Sequence, residues 1–275
     1  MADIVGAYAL THSSLMVGQP ELVADELREA CYAAYHRVRQ ELVESKVDVL
    51  VVLGSDHFNS YFYDLFPQWC VGRADSYEGW ADNMPMYKLA GHRKLSADVI
   101  DGLLDRGCEP ALSEQMRLDH SFLSPLHFIT PDMDLPVVPI FQNCLSRPFP
   151  RLARSLAFGR ALGEAIRASA VDARVAVIGT GGLSHWIGGP DHGRLNPEFD
   201  REFLDRFARN DVDWLTGFSD EDIERHLGSG GHEVRNWLTV RGCLPNGAVE
   251  RFFYEPIEPW WIGAAVAAVR TGEAR

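Results

Sequence analysis

The chain has 275 residues, 46% of them hydrophobic and 24% charged, with a formal net charge of −13. That balance suits a globular protein with a full core. It argues against a nucleic-acid or anionic-membrane partner, since both need clustered Lys and Arg. Five scattered cysteines, never arranged as CxxC, argue against a disulfide framework or structural zinc and predict a reducing, cytoplasmic setting.

The first residues, "MADIVGAYALTHSS", lack the charged start and long apolar stretch of a signal peptide. "DIVGAYAL" predicts a strand, and "PELVADELREACYAAYHRVRQELVES" then shows the three- and four-residue apolar spacing of a helix. "VDVLVVLG" predicts a second strand. The stretch from Asn59 to Lys94 is aromatic and rich in turn residues, and too long for a simple connector, so it predicts a pocket wall or lid. "LSADVIDGLLDRG" predicts a helix stopped by glycine, "LPVVPIF" a strand, "FPRLARSLAFGRALGEAIRAS" a helix and "ARVAVIGT" a strand. The glycine run in "GSGGHEVRNWLTVRG" predicts a helix start. Near the end, "WWIGAAVAAV" is too short to span a membrane and reads as a packed helix. The strand runs lack strict alternation, which predicts strands buried on both faces. Strands alternating with helices, without a linker or repeat, predict a single α/β domain over residues 1–275. Its central sheet is expected to be mostly parallel or mixed, with flanking helices.

In open α/β sheets ligands bind beyond the carboxyl ends of the strands. "ALTHSS" places His12 there, "VVLGSDHFNS" places His57 behind Asp56, and "GTGGLSH" places His185. Equivalent strand exits predict that these histidines converge. Two neutral imidazoles and one carboxylate make a common open transition-metal site. Glu233 in "GGHEVRNW" is a candidate for the carboxylate, and equally a charge placed at a helix N-terminus. In "QMRLDHSFLSPLHF", Asp119 precedes His120 and could orient its ring or raise its basicity. His127 is expected to pack and His36 to be solvated. His92, His192, His226 and His232 carry no assigned role, and His232, adjoining Glu233, is the decoy. Phe58, Tyr61, Phe62, Tyr63, Phe66 and Trp69 could wall a pocket for a planar ring, about half of them serving as ordinary core. Arg73, Arg147, Arg235 and Arg241 are candidates to hold a substrate carboxylate.

Taken together, the motifs resemble the class III extradiol ring-cleaving dioxygenases. "GTGGLSHWIGGPDHGRLNPEFDREFL" is similar to the protocatechuate 4,5-dioxygenase branch. "VVLGSDHFNSYFYDLFPQWCVG", "LDHSFLSPLHF", "EVRNW" and "RFFYEPIEPWWIG" are more similar to the 2,3-dihydroxyphenylpropionate 1,2-dioxygenase branch, from which the chain departs by being more compact after "GGLSHW". The resemblance covers nearly the whole chain. It implies that His12, His57 and Glu233 bind Fe(II), that His185 is an acid–base histidine, and that His120, preceded by Asp119, is a second active-site histidine. It further implies a catechol and O2 as substrates, meta cleavage of the ring, and a monocyclic substrate with a carboxylate or short acidic side chain. A homo-oligomer is the default expectation. The competing readings are a metal-free companion subunit, against which all three ligands are present, and a zinc hydrolase, against which no HExxH occurs.

Overall fold

The computed structural model describes residues 1–80 and 84–270. Its strands are β1 (Asp3–Leu10), β2 (Val49–Gly54), β3 (Trp69–Gly72), β4 (Ser76–Gly79), β5 (Tyr87–Ala90), β6 (Ala111–Ser113), β7 (Val137–Gln142), β8 (Arg174–Thr180), β9 (Ala248–Ile257) and β10 (Ile262–Arg270). The helices are α1 (Leu15–Gly18), α2 (Asp25–Glu44), α3 (Arg93–Leu104), α4 (His120–Ile129), α5 (Leu152–Ala168), α6 (Pro197–Arg209), α7 (Val212–Thr216), α8 (Asp220–Leu227) and α9 (Val234–Cys243).

Eight strands form one mixed sheet in the order β6-β3-β7-β2-β8-β1-β10-β9. Its centre is parallel, as the predicted α/β class requires: β8 lies between β1 and β2, and β2 pairs with β7 on its other side. Every residue of β2 and of β7 is buried. Both faces are covered, so neither strand needs a polar face, and this is why their sequences do not alternate. Tyr35 and Val38 of α2 and Phe122 and Leu126 of α4 pack with Leu50, Val52 and Ile178. Val99 of α3, Leu162 of α5 and Trp237 of α9 pack with Val49, Val51 and Val177.

The register sets the location of the chemistry. Leu10 pairs with Thr180, and Leu53 with Gly179. The carboxyl ends of β1, β2 and β8 therefore reach the same edge of the sheet, and the chain leaves each strand into the same space.

Two expectations are corrected. "WWIGAAVAAV" is not a helix: it ends in β10, which runs antiparallel between β1 and β9. Ala264 through Ala268 are at most 1% exposed there. Alanine favours helices intrinsically, but a small side chain also suits a strand gripped on both edges and both faces, and tertiary packing overrides propensity. The stretch Asn59–Lys94 is no simple lid either. It contributes β3, which pairs antiparallel with β7, and the β4–β5 hairpin. Residues 81–83 of that stretch lie outside the described residues. Among the described residues no helix is long and apolar enough to cross a membrane.

Candidate active site

His12 lies just past β1, His57 past β2 and His185 past β8, while Glu233 ends a short 3-10 turn (Gly230–Glu233) that leads into α9. The structure brings all four together. Glu233 Oε1 lies 3.0 Å from His12 Nε2 and 3.6 Å from His57 Nε2, and Glu233 Oε2 lies 3.6 Å from His185 Nε2. The Glu233 side chain is 4% exposed and that of His12 3%, whereas His57 is 32% open. The cluster is thus sealed from behind and accessible from one side.

Each donor is held from behind. His12 Nδ1 meets Thr180 Oγ1 at 3.3 Å, and His57 Nδ1 meets Asp119 Oδ2 at 2.8 Å. Glu233 Oε2 accepts from the Gly182 N–H at 3.1 Å. Anchoring one ring nitrogen by an oxygen fixes the ring plane and presents the other nitrogen inward, the usual support of a metal-binding imidazole. Donor separations near 3 Å are what neighbouring ligands on one cation show when bonds are ~2.1 Å long. The residues present therefore fit a divalent transition metal. A second donor set overlaps the first: nitrogens of His12, His57 and His120 also lie within 4.8 Å of one another. The set containing Glu233 places a carboxylate oxygen 3.0 Å from His12 and 3.6 Å from His57, and its negative charge would offset a cation.

Asp119 makes its hydrogen bonds elsewhere than to its neighbour His120, although its charge acts to raise that ring: it caps α4 through Ser121 N, and its other oxygen accepts from both the backbone N–H of His57 and the His57 ring. The extended backbone at this N-cap turns adjacent side chains apart. Burial acts against charge at Asp119, but the His57 ring outweighs it and keeps the carboxyl far below the usual range. Burial would lower His57, yet Asp119 and then Glu233 outweigh it and raise the ring to about 10 in the metal-free protein. Burial likewise opposes the Glu233 charge, and His12 and His57 hold that carboxyl well below its ordinary value. His120, stacked on His57 at 4.1 Å, is pushed by burial and by His57 down to about 3, so its basicity falls rather than rises. Burial also lowers His185. At neutral pH both His120 and His185 are uncharged bases.

Two glycine runs interlock here. A Cβ at Gly181, where φ is +100°, would lie 2.6 Å from Glu233 Oε2, and a Cβ at Gly230 would lie 1.9 Å from His185 Nε2. The glycines after β8 admit Glu233, and the glycine before α9 admits His185. The His185 loop has a further anchor that sequence reasoning missed. Asp200 of α6, fully buried, accepts from Ser184 N (2.8 Å), Ser184 Oγ (2.7 Å) and Tyr254 Oη (2.9 Å). The sign that could have found it is a lone acid on the apolar side of an amphipathic helix.

A cavity of about 230 Å³ opens on the four histidines His12, His57, His120 and His185. Its apolar lining comes from Leu15, Ile187, Trp260, Trp261 and Ile262, with Ser13 and Ser14 adding hydroxyls. The aromatic cluster considered from sequence does not line it. Tyr61 packs on Phe141 and Trp69 on Phe158, while Phe62 and Tyr63 are exposed. The four candidate arginines are engaged elsewhere. Arg73 pairs with Glu114, Arg147 with Glu221 and Glu224, buried Arg235 with Asp220, and Arg241 bonds Asn210. His232, buried between Arg235 and Glu224 and stacked on Phe149, faces away from the cluster. His36 is exposed, and His127 bonds Tyr87 through Nδ1.

The family model described as the catalytic LigB subunit of aromatic ring-opening dioxygenase matches residues 6–262. Curated relatives named 2,3-dihydroxyphenylpropionate/2,3-dihydroxicinnamic acid 1,2-dioxygenase include one from Photorhabdus laumondii, 27% identical over 94% of this chain and 95% of its own. Another, from Paraburkholderia xenovorans, is 30% identical over 88% of this chain and 89% of its own. A crystal structure of the uncharacterized protein JW3007 from Escherichia coli K12 shares the fold with a TM-score of 0.59, at 16% identity, covering 96% of this chain and 99% of that one. The family match runs through every residue of the cluster, from His12 to Glu233, and the chain belongs to the family of the catalytic LigB subunit of aromatic ring-opening dioxygenase.

Proposed function

We propose that this chain is a non-haem Fe(II) extradiol dioxygenase that inserts both atoms of O2 into a substituted catechol with meta cleavage of the ring. The observation that carries this reading is the placement of Glu233 Oε1 between His12 Nε2 and His57 Nε2, at 3.0 and 3.6 Å, on a cavity shared with His120 and His185. When bound, ferrous iron supplies the Lewis acidity and the electrons that let a catechol and O2 react.

The protein supplies position and protons. His12, His57 and Glu233 would hold the metal, with Asp119 and Thr180 fixing the imidazoles. His185 Nδ1 lies 2.9 Å from the Leu183 carbonyl, an acceptor only, so Nδ1 carries the ring proton and Nε2 presents a lone pair. That nitrogen takes a catechol hydroxyl proton and later returns it, work typically worth ~10²–10⁴-fold. His120, stacked on His57, faces the same space. The apolar lining excludes water and takes the ring. Anaerobically Fe(II)-loaded protein is expected to consume one O2 per catechol, and both atoms of ¹⁸O2 should enter the product. Absence of oxygen uptake across protocatechuate, gallate, 2,3-dihydroxyphenylpropionate and alkylcatechols contradicts the reading.

Metal uptake should depend on pH in a defined direction. His57 is protonated in the metal-free protein up to about pH 10, and that proton must leave when Nε2 becomes a ligand. The apparent affinity for Fe(II) is expected to rise by about tenfold per pH unit between about pH 6 and 8, with about one proton released per metal. Titrations at several pH values check this, and a flat profile contradicts it.

Asp200 acts as a positioning residue for the His185 loop. Asp200→Ala strands the two buried Ser184 donors, at ~1–3 kcal/mol each, and frees the half-buried Tyr254 hydroxyl. Displacing His185 by about 1 Å should lower kcat by roughly 10²-fold. Iron content and KM are expected to change little, and Asp200→Asn, which keeps one acceptor oxygen, should recover part of kcat. A KM effect with kcat unchanged would remove Asp200 from this role.

A further inference from the structure

Relatives named for 2,3-dihydroxyphenylpropionate act on a substrate that carries a carboxylate. The cavity here is built differently from what such a group needs. Beyond the histidines and two serines, its lining consists of Leu15, Ile187, Trp260, Trp261 and Ile262; among the described residues no lysine or arginine lines it. Arg194, in the loop that follows His185, is exposed and lies on the Trp186 ring at 4.8 Å. His192 meets Trp261 edge-on at 4.4 Å, is exposed, and accepts the Gly188 N–H through Nδ1.

A carboxylate moved from water into an apolar lining without a paired cation loses its hydration and gains nothing in return, whereas an alkyl or aryl group gains from the same move. An anionic substituent therefore finds no lysine or arginine to pair with among the lining residues. The volume, about 230 Å³, is below the usual range of ligand pockets (~300–1,000 Å³) and suits one ring with a short substituent. At the open side, Ile187 is 53% and Trp261 41% exposed, so these two side chains form the rim that a ring substituent passes.

We propose that the substrate is a monocyclic catechol with an uncharged, apolar substituent, and that Ile187 and Trp261 set this preference. The proposal rests on the extradiol reading above and replaces the carboxylate-bearing substrate expected from sequence.

A matched pair tests it: 3-propylcatechol and 2,3-dihydroxyphenylpropionate differ chiefly in the terminal carboxylate. With Fe(II)-loaded protein, kcat/KM for 3-propylcatechol is expected to exceed that for the acid by at least about tenfold, a difference of ~1.4 kcal/mol. Equal or reversed values overturn the proposal. Binding provides a separate readout, because Trp260 and Trp261 line the cavity and their fluorescence should report occupancy. If neither compound is turned over, and protocatechuate and gallate are not either, the extradiol reading fails. The ranking of the two dissociation constants still decides the preference, tighter binding of the propyl compound supporting it and tighter binding of the acid overturning it. Ile187→Lys places a cation on the exposed rim and is expected to move the propyl-to-acid ratio toward the acid by about tenfold at low salt. An unmoved ratio removes Ile187 from the preference.

Discussion

His185→Ala is expected to keep its iron and lose ~10²–10⁴-fold in kcat, the usual worth of a positioned acid–base group, whereas His12→Ala is expected to lose the iron itself. The contrast follows from where the two rings sit. His12 Nε2 faces Glu233 Oε1 at 3.0 Å, with Thr180 fixing its other nitrogen. His185 Nε2 faces the other carboxylate oxygen at 3.6 Å, while its Nδ1 is tied to Leu183. Alanine at 185 leaves space where the ring was, so added imidazole should restore part of the turnover. Metal analysis and single-turnover kinetics on both variants check the pair. Loss of iron from the His185 variant would make that ring a ligand and undo the division of roles.

The second large effect is expected from a residue with no functional group. Gly230→Ala would place a methyl carbon 1.9 Å from His185 Nε2, well inside van der Waals contact. The two backbones cannot simply separate, since the His185 N–H donates to Leu227 O at 2.7 Å and the Gly230 N–H donates back to His185 O at 3.1 Å. Either the ring rotates out of the cavity or the turn bearing Glu233 shifts. A displacement near 1 Å at a reacting group costs about 10²-fold in rate. Iron binding should survive in the first case and weaken in the second, so metal content reports which part yields. Near wild-type kcat in a folded Gly230→Ala protein would mean that His185 is not held against this glycine.

Much of this site was legible because its parts lie at strand exits. The runs "DIVGAYAL", "VDVLVVLG" and "ARVAVIGT" are apolar without alternation, and each is followed within a few residues by a histidine. Parallel strands at the sheet centre then bring those exits to one edge. Glu233 could be placed only as a candidate from its own neighbourhood, because a carboxylate beside a helix start is equally a capping charge. What separates the two is long-range: Gly181 and Gly182 lie against it from 51 or more residues away. Asp119 beside His120 in sequence suggests a partner for that ring, yet its side chain bonds His57, 62 residues earlier. Sequence adjacency says little about which way adjacent side chains face. Asp200 shows in sequence only as a lone acid on the apolar side of α6, since its partners Ser184 and Tyr254 come to it from both directions along the chain. The alanine-rich β10 read as a helix because local propensity and sheet context disagree, and context prevails where both neighbours are strands. The aromatic lining was sought among residues 58–69, where ring after ring occurs. Those rings pack on β7 and α5 or lie exposed, and the cavity takes Trp260 and Trp261 from the turn before β10 instead.

On the proposed reading one cation is held by His12, His57 and Glu233. Crystals of anaerobically Fe(II)-loaded protein, with anomalous differences recorded on either side of the iron edge, test it most directly. A single iron peak within bonding distance of His12 Nε2, His57 Nε2 and Glu233 Oε1 is the predicted result. A peak on His12, His57 and His120 with Glu233 unligated, or no peak in this cluster, contradicts it.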